Sequence, residues 1–140
     1  MRLSNYVPLI LSFLVVCVLV WSIRQQIREN LQQDDPMLHR LKDVLSPIHP
    51  SIKNLKLYKS DKSYTINKDK IYLCLTDRNG DYYPLSTHSY VLLHEIAHFL
   101  NTYDVGHTPK FYEIFDELLE RAEKLGVYNP SIPVIPDYSE

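Results

Sequence analysis

Glycine is scarce, with three residues in 140. That scarcity, and the lack of any internal repeat period, excludes collagen-like chains and solenoid arrays. Cysteine is almost missing. Cys17 and Cys74 are the only two, too few for a disulfide framework. Cys17 also falls inside a long apolar run, so reduced thiols are the simpler reading. There is no excess of positive charge. Lys and Arg number 15 against 17 Asp and Glu, for a net charge of -2, so no global basic field points to nucleic acid. Disorder throughout is excluded too, because 45 % of residues are hydrophobic and 23 % charged, enough apolar surface for a core.

What is there begins with Tyr6 to Ile23, YVPLILSFLVVCVLVWSI, which holds no charge. As a helix this run rises about 27 Å, close to a hydrocarbon thickness of about 30 Å. Tyr6 and Trp21 stand at its ends, where aromatic rings favour the membrane interface. Pro8 falls in the first turn, where a missing N–H costs little. A cleaved signal peptide is the rival reading, but the A-x-A pattern is absent and the run is long for a signal core. The run predicts a single-pass anchor. Arg24, Arg28, Arg40 and Lys42 follow it and only Arg2 precedes it, which predicts that the carboxyl-terminal body stays in the cytoplasm. Roughly 115 residues remain for that body, enough for one modest core.

The pattern divides the chain into an anchor over 1–23, a juxtamembrane helical segment over 24–50, a domain over 51–128 and a tail over 129–140. The tail carries Pro130, Pro133 and Pro136 and reads as extended. A helix starting near Pro36 suits a first helical position for proline. Leu55 to Tyr58 reads as a strand, and Tyr64-Thr65-Ile66 and Lys70 to Thr76 as a hairpin around Asn67-Lys68-Asp69. Asp77 to Asp81 is a turn, with Tyr82-Tyr83 as a short closing strand. Ser86 or Thr87 is expected to cap a helix running to about Asn101. Thr108 and Pro109 open the clearest helix, with Phe111, Ile114, Phe115, Leu118, Leu119, Ala122 and Leu125 as its apolar stripe and Gly126 as its stop.

His94-Glu95-Ile96-Ala97-His98 is an H-E-x-x-H. Two histidines four apart stand on one helix face and can share one Zn²⁺. Glu95 then lies beside the metal, where it can take a proton from the attacking water and return it to a leaving amine. Leu92, Leu93, Ile96, Phe99 and Leu100 cluster on the opposite face and predict a buried anchor. A catalytic zinc needs a third protein ligand and an open position. His107 ranks first, then Asp104, then Glu117. His107 follows Gly106 and precedes a helix cap, whereas Glu117 falls on the solvent side of its helix.

Other residues read more plainly. Tyr103 and Tyr112 could donate to an oxyanion, but an aromatic rim is the simpler role. His88 sits at the wrong angle for the metal, and His39 and His49 read as surface residues. Cys74 reads as a core thiol. Lys53, Lys56, Lys59 and Lys62 read as a solvated face, with no clear nucleic-acid binding.

H-E-I-A-H followed by G-H-T-P-K-F resembles the WLM metallopeptidases, relatives of the SprT-like proteases. It is closer still to the short WLM-like proteins of nucleocytoplasmic large DNA viruses. Those share blocks like Tyr64 to Leu75 and Leu125 to Tyr128, so the resemblance covers about Tyr58 to Tyr128. It implies an α+β fold of minimal zincin type: a small antiparallel sheet on the helix of the motif, with a supporting helix behind. It implies zinc on His94, His98 and His107, with Glu95 as general base acting on a protein or peptide substrate. The interval between His98 and His107 is longer than in the cellular members, and no ubiquitin-binding extension is visible. A viral origin would permit a second role, a structural component linked to capsid or virion membrane proteins with little turnover.

Overall fold

The structure, a computed structural model, describes residues 2–67 and 69–134. The last part of the proline-rich tail, with Pro136, lies outside the described residues, as does Lys68. Two units can be told apart, Met1–Gln32 and Gln33–Glu140.

The first unit is a helix, α1 (Val7–Gln33), with no buried residue. It is long and apolar enough to cross a membrane. It does not stop at Ile23. Arg24 to Gln33 are mostly Arg, Gln and Glu, good helix formers that continue the helix once its apolar stretch is over. Residues 24–50, which the sequence presents as one juxtamembrane segment, are therefore divided. The first ten extend α1, and the rest belong to the body.

The body opens with α2 (Pro36–Leu45). Asp35 caps it by accepting a hydrogen bond from the Met37 N–H, and Pro36 takes the first turn. Leu38, Leu41 and Leu45 are buried at 0–2 % exposure. A 3-10 turn over Pro50–Asn54 buries Ile52 and leads into three strands, β1 (Lys56–Lys59), β2 (Tyr64–Ile66) and β3 (Lys70–Leu73).

The sheet is mixed, not antiparallel as the resemblance implies. β3 lies in the middle. It pairs in parallel with β1, Leu57 opposite Ile71, and antiparallel with β2, Thr65 opposite Ile71. The hairpin is the expected one. Asn67 takes φ 51°, a left-handed conformation that Asn tolerates better than most residues. The linker over 60–63 spans the width of two strand spacings, each about 4.8 Å, so β3 enters between its predecessors. One face carries a stack of Tyr58, Tyr72 and Tyr64, with ring centroids 4.9 and 4.7 Å apart. The other, with Leu57, Thr65 and Ile71, faces the helices. Beyond β3 the expected turn is built by Asp77, whose Oδ1 accepts from the N–H groups of Asn79 and Asp81. The closing strand reduces to one bridge, Thr76 to Tyr82.

Two helices complete the body, α3 (Leu85–Leu100) and α4 (Pro109–Leu125). Neither Ser86 nor Thr87 caps α3, which starts after Pro84 with no side-chain cap. Both are buried instead, and the Ser86 hydroxyl accepts from the Asn129 N–H at 2.9 Å, clasping the chain beyond α4. α4 matches its sequence signals: the Thr108 hydroxyl accepts from Phe111 N–H, and Gly126 ends it at φ 82°. Phe111, Phe115, Leu118 and Ala122 are its buried stripe. Leu125, expected in that stripe, is 45 % exposed, because the core no longer reaches the last turn. α3 is the hub. Val91, Leu92, Leu93, Ile96 and Ala97 all fall at 5 % exposure or less and join the residues from α2, β1, β3 and α4 in one apolar cluster. Each buried valine, leucine or isoleucine among them contributes about 1.5–3 kcal/mol by leaving water. Phe99 and Leu100 are only half-buried.

Candidate metal centre

His94 and His98 stand one turn apart on α3, as four-residue spacing requires. His107 reaches them from the end of the loop after α3. Gly106, at φ 90°, supplies a left-handed reversal that favours glycine, directly before His107. The three Nε2 atoms form a near-equilateral triangle. His94 to His98 is 3.2 Å, His98 to His107 is 3.2 Å, and His94 to His107 is 3.1 Å. Tetrahedral nitrogens bonded to one zinc at about 2.0–2.1 Å stand about 3.3 Å apart, so the donor set fits that group. A neutral imidazole has one N–H, and a closed triangle of ring nitrogens cannot give each a well-aligned partner. A shared cation would resolve that convergence.

The other two ligand candidates lie elsewhere. Asp104 accepts from the Thr108 hydroxyl at 2.7 Å and from Asn101 Nδ2 at 2.5 Å, contacts that hold its carboxyl below the usual range. The Tyr103 N–H in turn donates to Asn101 Oδ1. Asp104 thus braces the loop that delivers His107. Glu117 pairs with Arg121 one turn along α4 and is exposed.

Phe111 lies against all three imidazoles. Its ring centroid is 5.0 Å from that of His94, 4.3 Å from His98 and 5.0 Å from His107. It is fully buried, so the triangle rests on an apolar floor contributed by α4. The sequence presents Phe111 only as part of a stripe. Burial, reinforced by the charges of His98 and His107, pushes the His94 imidazole down to about 4. Burial also lowers His98, with His107 adding to it. Both stay neutral at ordinary pH, the form a metal requires.

Glu95 is 9 % exposed, more enclosed than an open motif face implies. α3 is covered by the sheet on that side. Its Oε2 accepts a 2.5 Å hydrogen bond from the Thr65 hydroxyl on β2. Burial raises the Glu95 carboxyl, and the Thr65 bond and the His107 charge oppose that rise. Thr65 carries no metal-site signal in the sequence. It is a strand threonine thirty positions from its partner.

His88, set aside as a ligand, is buried with Nε2 2.8 Å from the Leu75 carbonyl. Tyr103 is 79 % exposed and carries Lys110 over its ring at 5.0 Å, as a rim residue would. Tyr112 lies with its ring 6.3 Å from that of His107. Cys74 is half-buried, and burial raises its thiol pKa.

The chain is 38 % identical over 121 residues to the uncharacterized protein 136R of Invertebrate iridescent virus 6, covering 80 % of this chain and 67 % of that protein. It is 37 % identical over 123 residues to the uncharacterized protein 042R of Invertebrate iridescent virus 3, covering 86 % and 76 %. No protein-family model matches the chain. No solved structure matches it.

Proposed function

The chain belongs to the family of these two iridescent-virus proteins, and we propose that it is a membrane-anchored zinc metallopeptidase of minimal zincin type, organised like the WLM enzymes. The observation that carries this reading is the triangle of His94, His98 and His107 nitrogens with the carboxylate of Glu95 enclosed beside it. Three histidines leave one tetrahedral position open, the arrangement of a catalytic rather than a structural site. Zinc bound there would polarise the scissile carbonyl and bring the pKa of its water toward 7. Glu95 accepts the proton of the attacking water and delivers it to the leaving amine. His94 and His98 hold the centre from a rigid helix, and Phe111 keeps water away from beneath it. Helix α1 keeps the body at a membrane, with the cytoplasm as its side, so substrates are proteins or peptides that come to that surface.

The test uses the full chain in detergent. About one zinc per chain is expected, lost in His107→Ala. Glu95→Gln should keep the zinc and lose peptide cleavage by roughly 10²–10⁴-fold. Absence of metal even after zinc is supplied would sink the reading. Full zinc with no cleavage by the parent chain would instead favour the structural role in the virus particle.

A further inference from the structure

The inward face of the sheet is apolar where it meets the helices. Leu57 and Ile71 are 4 % and 1 % exposed, and in register with them on the edge strand stands Thr65. Valine has nearly the same shape as threonine and would pack there without a polar atom to satisfy. Thr65 is half-buried, and the partner of its hydroxyl is Glu95 Oε2 at 2.5 Å. The bond ties β2 to α3, which packs against it, across thirty positions of sequence.

We propose that Thr65 is the positioning residue of the general base. Its hydroxyl holds Glu95 Oε2 and so leaves Oε1 as the oxygen that exchanges protons with the substrate. This rests on the peptidase reading above. The chemistry balances through a full cycle. Thr65 donates to Oε2 while Glu95 is a carboxylate. When Oε1 takes the proton of the attacking water, Oε2 becomes the carbonyl oxygen of the acid and still accepts from Thr65. When Oε1 passes that proton to the leaving amine, the carboxylate returns to its first state. The Thr65 bond is never broken, so it fixes the carboxyl plane without competing for the shuttled proton. A β-branched residue in a strand is stiff at χ1, which makes threonine a fixed post rather than a swinging one. Without it, the carboxyl could turn about its terminal torsion, which is broad.

The experiment uses the zinc-loaded full chain in detergent, with Thr65→Val, Thr65→Ser and the parent. Zinc content should be the same in all three. Carboxyl ¹³C spectra of glutamate-labelled protein, with the Glu95 signal assigned by its loss in Glu95→Gln, give a readout independent of turnover. The Glu95 signal should move in Thr65→Val and stay near its parent position in Thr65→Ser. Peptide cleavage should lose about tenfold in kcat in Thr65→Val with KM unchanged, since a misaimed base slows the step without weakening binding. Thr65→Ser should recover most of it. An unmoved Glu95 signal in Thr65→Val, or a Thr65→Val chain that turns over like the parent, overturns the proposal. If the signal moves but the parent cleaves nothing, the contact exists and the peptidase reading has failed, and the positioning role falls with it.

Discussion

Asp104 braces the loop that carries His107 without joining the histidine triangle. Its carboxylate takes hydrogen bonds from Asn101 and Thr108, one on either side of His107 in the chain, and so fixes the loop that carries it. Residues that orient a ligand typically affect metal affinity by about 10–100-fold. Asp104→Ala should therefore weaken zinc binding by about that factor in chelator competition, yet fill fully at saturating zinc. A variant that takes up no zinc at saturation would make Asp104 a ligand. A second residue-scale effect concerns acid. His88 is 2 % exposed, and burial lowers its pKa from 6.5, partly offset by the Leu75 carbonyl bond. His94 and His98 are lowered likewise in the metal-free chain. As pH drops below 6.5 the unfolded chain gains protons that the folded chain refuses, so the stability of the fold is full above that value and declines below it. Glu95 acts oppositely, because burial holds its folded pKa above 4.5, so the folded chain takes up that proton first as pH falls. Three imidazoles against one carboxyl predict a Tm of the metal-free protein that falls steadily from about pH 7 to about pH 5.5. A flat Tm across that range would mean that these imidazoles stay wet in solution. At this scale the sequence discloses the histidines, because spacing on a helix is a local property. It hides Thr65 and Phe111, whose meaning comes from partners on other elements.

Among the elements, α4 is both a support for α3 and part of the site. Thr108, Pro109 and Gly126 mark its ends, and each signal lies within one turn of the boundary it sets. That is why its limits are legible. The strands are legible one by one, yet their pairing is not. Nothing local to Lys56–Lys59 says that its neighbour will be β3 and parallel rather than β2. That choice comes from which apolar faces meet α3. The same limit applies to α1, where hydropathy ends at Ile23 but helix propensity does not. Phe111 is the point where α4 meets the histidine triangle, against three imidazoles and Phe115. Replacing it with alanine leaves a cavity under the site and should cost about 3–5 kcal/mol in denaturant unfolding of the metal-free chain. Zinc affinity should fall too, since the three rings lose their common floor. A loss under about 1 kcal/mol would mean that the neighbouring side chains close the gap, contrary to ordinary core behaviour.

For the whole molecule, the cations that flank α1 bear on which side of a bilayer would receive the body. Arg24 and Arg28 lie within one turn and a half of the end of the apolar run, and Arg40 and Lys42 follow, against Arg2 on its other side. Cationic flanks stay on the cytoplasmic side, so the site would face the cytoplasm, where a thiol such as Cys74 remains reduced. The turn over Asp77–Asp81 offers a direct test. Asn79 and Gly80 are exposed there, and Asp81→Thr completes an N-x-T acceptor for glycosylation. Asp81 is exposed as well, and its backbone N–H, which bonds Asp77, survives the change. Translated into microsomes that glycosylate a secreted control protein, the Asp81→Thr chain should resist alkaline extraction and gain no sugar. A glycosylated product would put the body in the lumen, where the cation bias would have been overridden and the substrates of the site would be lumenal proteins. An unglycosylated chain that alkali extracts would mean that α1 does not span a bilayer, and the zinc site would then act without an anchor.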